Sequence, residues 1–198
     1  MKQLAAKTIL AAALLGIAGL GHANTTVSFA PLTSYYDGTA GDGATYLEGS
    51  LTFTSPAGGL KNWGTWRDWN ADPLGAVLYD NYASAVTIAK TVGGTFMLVS
   101  FDLADLFNDG SGGPMPFSYT DGVGLHITTL LLDTQVGLQS FVLNFSGLTS
   151  FSVGGSGTFF QLDNVVVDGV AAVPEPATFA LLIAGLAAVG VMTRRRKS

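Results

Sequence analysis

Ser140-Phe141-Val142-Leu143-Asn144-Phe145-Ser146-Gly147-Leu148-Thr149-Ser150-Phe151-Ser152-Val153 alternates its side chains with a period of two. Phe141, Leu143 and Phe145 point one way while Val142 and Asn144 point the other, and Phe151 and Val153 then alternate with Ser150 and Ser152. That period belongs to a strand with one face on a core. It predicts strands over 140–145 and 148–153. Outward from this stretch, short β-rich runs recur at 27–32, 46–54, 76–79, 85–91, 95–103, 125–132 and 158–167, separated by Gly, Asp, Asn and Pro. Gly93-Gly94, Asp109-Gly110, Asp121-Gly122 and Gly154-Gly155 stand at breaks where a turn is needed. No long amphipathic helix interrupts them. About nine strands at this spacing predict an all-β sandwich, and no longer internal repeat points to a propeller or solenoid.

Composition narrows the classes. The chain has 198 residues, 48% hydrophobic and 12% charged, with no Cys. The missing Cys excludes disulfide scaffolds, thiol catalysis and Cys-ligated metal centres. Two segments stand apart from the domain. Residues 1–23 carry Lys2 and Lys7, an uncharged apolar run over 9–20 and small residues ahead of a cut between Ala23 and Asn24, as in a secretory signal peptide. Residues 177–193 are uncharged and apolar, and Arg194, Arg195, Arg196 and Lys197 follow. Seventeen residues is the lower limit for a single transmembrane helix, and the four cations would stay on the cytoplasmic side. The domain then covers 24–172 and the tail 173–198. With both ends removed, 13 acids face only Lys61, Arg67 and Lys90, a net charge of −10. Such a surface repels nucleic acid and anionic membrane and accepts divalent cations or neutral glycans.

The tail resembles the PEP-CTERM sorting signal of Gram-negative bacteria: Pro174-Glu175-Pro176, the small residues Ala177 and Thr178, an apolar helix and a terminal Arg cluster, in that order. The two prolines keep the chain around Glu175 extended, and extended chain is what a protease binds. The resemblance implies a substrate of exosortase, a membrane-embedded cysteine protease. It also implies export by the general secretion machinery and an intermediate tethered at the inner membrane. The mature protein is then expected at the cell surface or in the extracellular matrix, associated with exopolysaccharide or biofilm. The closing run Phe159-Phe160-Gln161-Leu162-Asp163-Asn164-Val165-Val166-Val167 resembles the last strand of jelly-roll domains in extracellular carbohydrate-binding modules.

Three places could carry chemistry. Trp63, Trp66 and Trp69 fall within seven residues, interleaved with Asn62, Arg67, Asp68 and Asn70. On an exposed loop their indole faces would stack on sugar rings, while on one side of a short helical turn they would plug an end of the sandwich. Resemblance to jelly-roll modules places a structural calcium where an early strand meets the last one, with Glu48 and Asp163 as ligands. Asp102, Asp105 and Asp109 are further oxygen donors, although Phe107 breaks any EF-hand loop there. Catalysis is disfavoured. His126 is the one histidine outside the signal peptide and sits in a strand pattern, and no Gly-x-Ser-x-Gly elbow or phosphate loop occurs. The expectation is a non-enzymatic component with no cofactor beyond calcium. A hydrolase with two positioned carboxylates is the alternative, because 13 acids leave that open.

Overall fold

The computed structural model describes residues 24–32, 38–65, 68–155 and 157–168. Among them the strands are β1 (Thr25–Val27), β2 (Gly38–Thr39), β3 (Thr45–Glu48), β4 (Leu51–Thr54), β5 (Leu60–Trp63), β6 (Val77–Asp80), β7 (Val86–Lys90), β8 (Phe96–Asp105), β9 (Gly113–Thr120), β10 (Leu125–Leu132), β11 (Gln139–Leu148), β12 (Ser150–Val153) and β13 (Phe160–Asp168). One antiparallel sheet runs β11-β8-β13-β6-β5-β2, with β1 also on β13; the other runs β10-β9-β12-β7-β4-β3. The chain is an all-β sandwich. The core lies between the sheets, where Phe101 stacks on Phe151 at 5.9 Å and both meet Phe117. Each of these fully buried rings contributes roughly 1.5–3 kcal/mol.

The alternation holds: Phe151 and Val153 are buried, and Phe141, Leu143 and Phe145 pack against the same core. Boundaries differ where backbone geometry intervenes. The run 46–54 is two strands, β3 and β4, paired as a hairpin with Tyr46 opposite Phe53 and Gly49 at φ 60 in the turn. Gly-Ser between two apolar runs is a hairpin signal in its own right. The run 27–32 ends as a strand at Val27 and closes in a 3-10 turn, Ala30–Leu32. β11 continues through the expected break at 146–147, because register shifts against β8 absorb Asn144 and Gly147, both at positive φ.

Three strands were not anticipated, the two-residue β2 among them. β5 holds Lys61 and Asn62 and has little apolar signature. β9 contains Pro114 and Pro116, which argue against an interior strand. Its pairing with β12 covers only Phe117 to Thr120, so the N–H that each proline lacks empties no rung on that side.

The two ends of the sandwich differ. Thr25 pairs with Val167 and Asp168 with Met97, so the chain enters and leaves the domain at one end. Phe160, at the start of β13, pairs with Asp105 at the end of β8, about 26 Å away along the strand. Loops 106–112, 133–138 and 154–159 gather at that far end. Among the described residues no helix is long and apolar enough to cross a membrane. The expected signal peptide, transmembrane helix, Ala23, Pro174, Glu175, Pro176, Arg194, Arg195, Arg196 and Lys197 lie outside the described residues.

Candidate functional site: an aromatic cleft

β5 and β6 turn Trp63, Val77 and Tyr79 onto the outer face of their sheet, where they form a small apolar cluster separate from the core. Trp63 lies 4.6 Å from Tyr79 and 5.9 Å from Trp69, ring to ring, and Trp69 meets Phe107 edge-on at 5.3 Å. With Asn81, Leu106 and Phe159 they enclose a cavity of about 350 Å³. Trp63 is its floor at 3% exposure, while Trp69, Phe107 and Phe159 form half-exposed walls. A second cavity of about 280 Å³ shares Leu106, Phe107 and Phe159 and runs on past Ser111, Met115 and Thr158. A ridge of two phenylalanines therefore divides one longer groove.

Two of the three tryptophans lie among the described residues. Trp63 belongs to a strand, Trp69 to the turn that follows, and Trp66 lies outside the described residues. What holds Trp69 over the sheet is Gln161, which sequence reasoning missed. Its Nε2 donates to the carbonyls of Trp69 (2.7 Å), Leu106 (2.9 Å) and Asp105 (3.1 Å), and its Oε1 accepts the N–H of Ala71 (2.9 Å). One buried amide thus ties the Trp loop to the end of β8. Asn70 finishes the loop by donating to the carbonyls of Gly64 and Gly75, both at 3.0 Å. The available signal was Gln161 itself, a polar side chain on the face of β13 opposite Leu162.

The expected calcium ligands are not brought together. Glu48 lies on β3 of one sheet and accepts the Tyr46 hydroxyl at 2.6 Å, while Asp163 lies on β13 of the other. Burial, with the Glu48 carboxylate beside it, pushes the Tyr46 hydroxyl well above its ordinary pKa. Asp105 and Asp109 accept backbone N–H groups of the 105–111 turn, and the bonds from Ser111 hold Asp109 below the usual carboxylate range. Asp102 accepts from Ser140 Oγ (2.6 Å) and Asn164 Nδ2 (2.8 Å). Among the described residues no three His, Asp or Glu side chains gather as a cation requires.

Asp163 is fully buried. Its Oδ1 accepts the Asn164 N–H at 2.7 Å, and its Oδ2 has no donor. Asp72 stands beside it, and two carboxylates bond only when one keeps its proton. Burial first, then the Asp72 and Asp102 charges, push Asp163 up to about 8 against the pull of the Asn164 N–H.

His126 is a β10 residue, stacked on Tyr119 at 4.6 Å and 3.1 Å from Asp121 Oδ1. Asp121 also accepts the N–H groups of Val123 and Gly124, so it serves a turn. The larger cavity is lined by aromatic and aliphatic side chains and the Asn81 amide, with no carboxylate, while Asp105 lines the smaller one. Such a surface can stack on the C–H face of a sugar ring and orient it by a few hydrogen bonds.

Beyond Asp168, residues 172–197 match the model of the PEP-CTERM protein-sorting motif. The chain carries a PEP-CTERM sorting tail. PEP-CTERM implies export and membrane-associated sorting, with exosortase as the processing partner, and hence an exosortase-sorted extracellular protein. The motif covers the tail and leaves the sandwich undescribed. No curated protein matches the chain.

Proposed function

We propose that this is a non-enzymatic, glycan-binding component of an extracellular polysaccharide matrix, delivered by its PEP-CTERM-type tail and holding polymer in the aromatic cleft. The cleft carries this reading: Trp69, Phe107 and Phe159 are half exposed around a floor of Trp63 and Tyr79. Its two cavities suit a chain of sugars laid across the Phe107 and Phe159 ridge, better than a single ring. The lining of the larger cavity supports binding over hydrolysis, since a glycosidase needs two carboxyl groups flanking the bond. β6 to β13 order as 6-13-8-11 in one sheet and 7-12-9-10 in the other, the winding of a jelly roll, and we take the domain as one.

In the same proposal the signal peptide is cut between Ala23 and Asn24. Residues 177–193 then span the inner membrane until exosortase cuts near Pro174, Glu175 and Pro176. Calcium is not part of the proposed mechanism.

The test is retention of the mature protein in gels cast with neutral soluble polysaccharides, alongside a reducing-end assay. Retention that falls at least tenfold in Trp69→Ala, with no new reducing ends, is the expected result. New reducing ends would move the protein to the hydrolase class, and unchanged retention in Trp69→Ala would remove the cleft from the function.

A further inference from the structure

An open sheet edge presents unpaired amide groups, so proteins shorten, bend or charge their edge strands. Most edges here are blunted. β1, β2 and β3 have three, two and four residues, and β11 is broken by two register shifts. β10 is different. Its eight residues, Leu125-His126-Ile127-Thr128-Thr129-Leu130-Leu131-Leu132, pair with β9 without a shift and include no Pro, Gly, Lys, Asp or Glu. Leu125, Ile127 and Leu131 are 65%, 77% and 69% exposed.

The phase of the ladder says which amides face outward. The Asp121 N–H bonds the Gly124 carbonyl at 3.1 Å, so even-numbered residues of β10 bond β9 and odd-numbered ones turn away. Gln139 Nε2 agrees with that phase, donating to the outward carbonyl of Leu131 at 3.3 Å and closing that end. The outward amides of Leu125, Ile127 and Thr129 call for another extended strand. In a domain with 13 acids and three bases, β10 of a second copy is, among the described edge strands, the long and unbroken one that brings no charge with it: β3 carries Glu48, β1 and β2 are three and two residues long, and β11, though uncharged, is broken.

We propose that β10 pairs antiparallel with β10 of a second copy, about a two-fold axis at Ile127. That register sets Ile127 against Ile127 and Leu125 against Thr129, all on the exposed face, and stops short of the Leu131 carbonyl. It joins two six-strand paths into one continuous sheet and covers an uncharged strip, with Asp121 and Asp133 just beyond its ends.

The chain has no cysteine, so Ile127→Cys introduces a single thiol. In a hydrogen-bonded antiparallel pair the Cα atoms lie about 5.5 Å apart, within disulfide reach. The full-length chain carrying Ile127→Cys, exported by its host and run on a non-reducing gel, is expected at twice the mass of one chain. Val142→Cys, equally exposed on β11, is expected to stay single, and Thr129→Lys added to Ile127→Cys to abolish the linked band. A single-chain band for Ile127→Cys, equal linkage through Val142→Cys, linkage that survives Thr129→Lys, or a linked band of any other mass overturns the proposal.

Discussion

Replacing Gln161 with Met keeps the length and bulk of the side chain and removes all four of its hydrogen bonds. The Ala71 N–H then loses its acceptor at a position 6% exposed, which costs about 1–3 kcal/mol. The Trp69 and Leu106 carbonyls are nearer to water, and each loses about 1 kcal/mol, while the Asp105 carbonyl keeps the Asn108 N–H as a donor. The sum is about 3–5 kcal/mol, a large share of the roughly 5–15 kcal/mol that holds a domain of this kind. Urea unfolding followed by tryptophan emission reads it directly. At an m value of about 2 kcal/mol/M the midpoint should fall by about 2 M, with m unchanged. Native-state emission should also shift to the red as Trp69 leaves the sheet, and polysaccharide retention should fall with it. A loss below about 1 kcal/mol, with emission and retention intact, would show that the Trp loop is held by something other than Gln161.

The other expectations are briefer. Asp163 titrates at about 8 in the folded chain and near 3.8 unfolded, so the folded state binds the extra proton between those values. The contribution of Asp163 to stability is therefore fully present near pH 4 and is lost as pH rises toward 8, by up to about 1.4 kcal/mol per unit. Thermal unfolding across that range should flatten in Asp163→Asn, and an unchanged slope would exclude Asp163 as its source. Gly154 has φ 83, and a Cβ there would lie 2.3 Å from the buried ring of Phe160. Gly154→Ala should destabilise by about 2–4 kcal/mol, while Gly93→Ala, at φ 74 with open space around it, should lose about 1 kcal/mol. Calorimetry of the two variants checks the difference. Replacing Pro174, Glu175 and Pro176 together with Ala should leave an unprocessed, cell-associated chain, and maturation at the normal size would remove exosortase from the account.

The alternation over 140–153 was legible because one face of each strand meets a core, and that contrast survives in composition alone. β9 was not, because its prolines are tolerated only where β12 has already ended, a fact of pairing and not of the strand itself. The Leu162-Asp163-Asn164-Val165 sequence shows the same limit. Asp163 follows Leu162 onto the outer face by ordinary alternation, and Asn164, at φ 46 where the register against β8 shifts, then returns Val165 to the core. The resemblance to jelly-roll modules paired Asp163 with Glu48, yet the ladder ahead of the bulge sets it against Asp102, and Asp72 stands beside it. The tryptophans drew attention to a segment that puts Trp63 and Trp69 in the cleft. Phe107 and Phe159 complete the cleft from 38 and 90 residues further along the chain, which no local pattern could have announced.

β13 begins beside the cleft at Phe160 and ends at Asp168, where the chain leaves the domain. It is flanked by β8 on one side and by β6 and β1 on the other. A pull applied by polymer at the cleft, and resisted by whatever holds the chain beyond Asp168, would run lengthwise down this strand. Its rungs lie across that line and would be loaded together in shear, where a strand peeled from an edge would give way one rung at a time. The sandwich is strung on a strand paired along both edges, so a tether attached there could bear tension with the core intact.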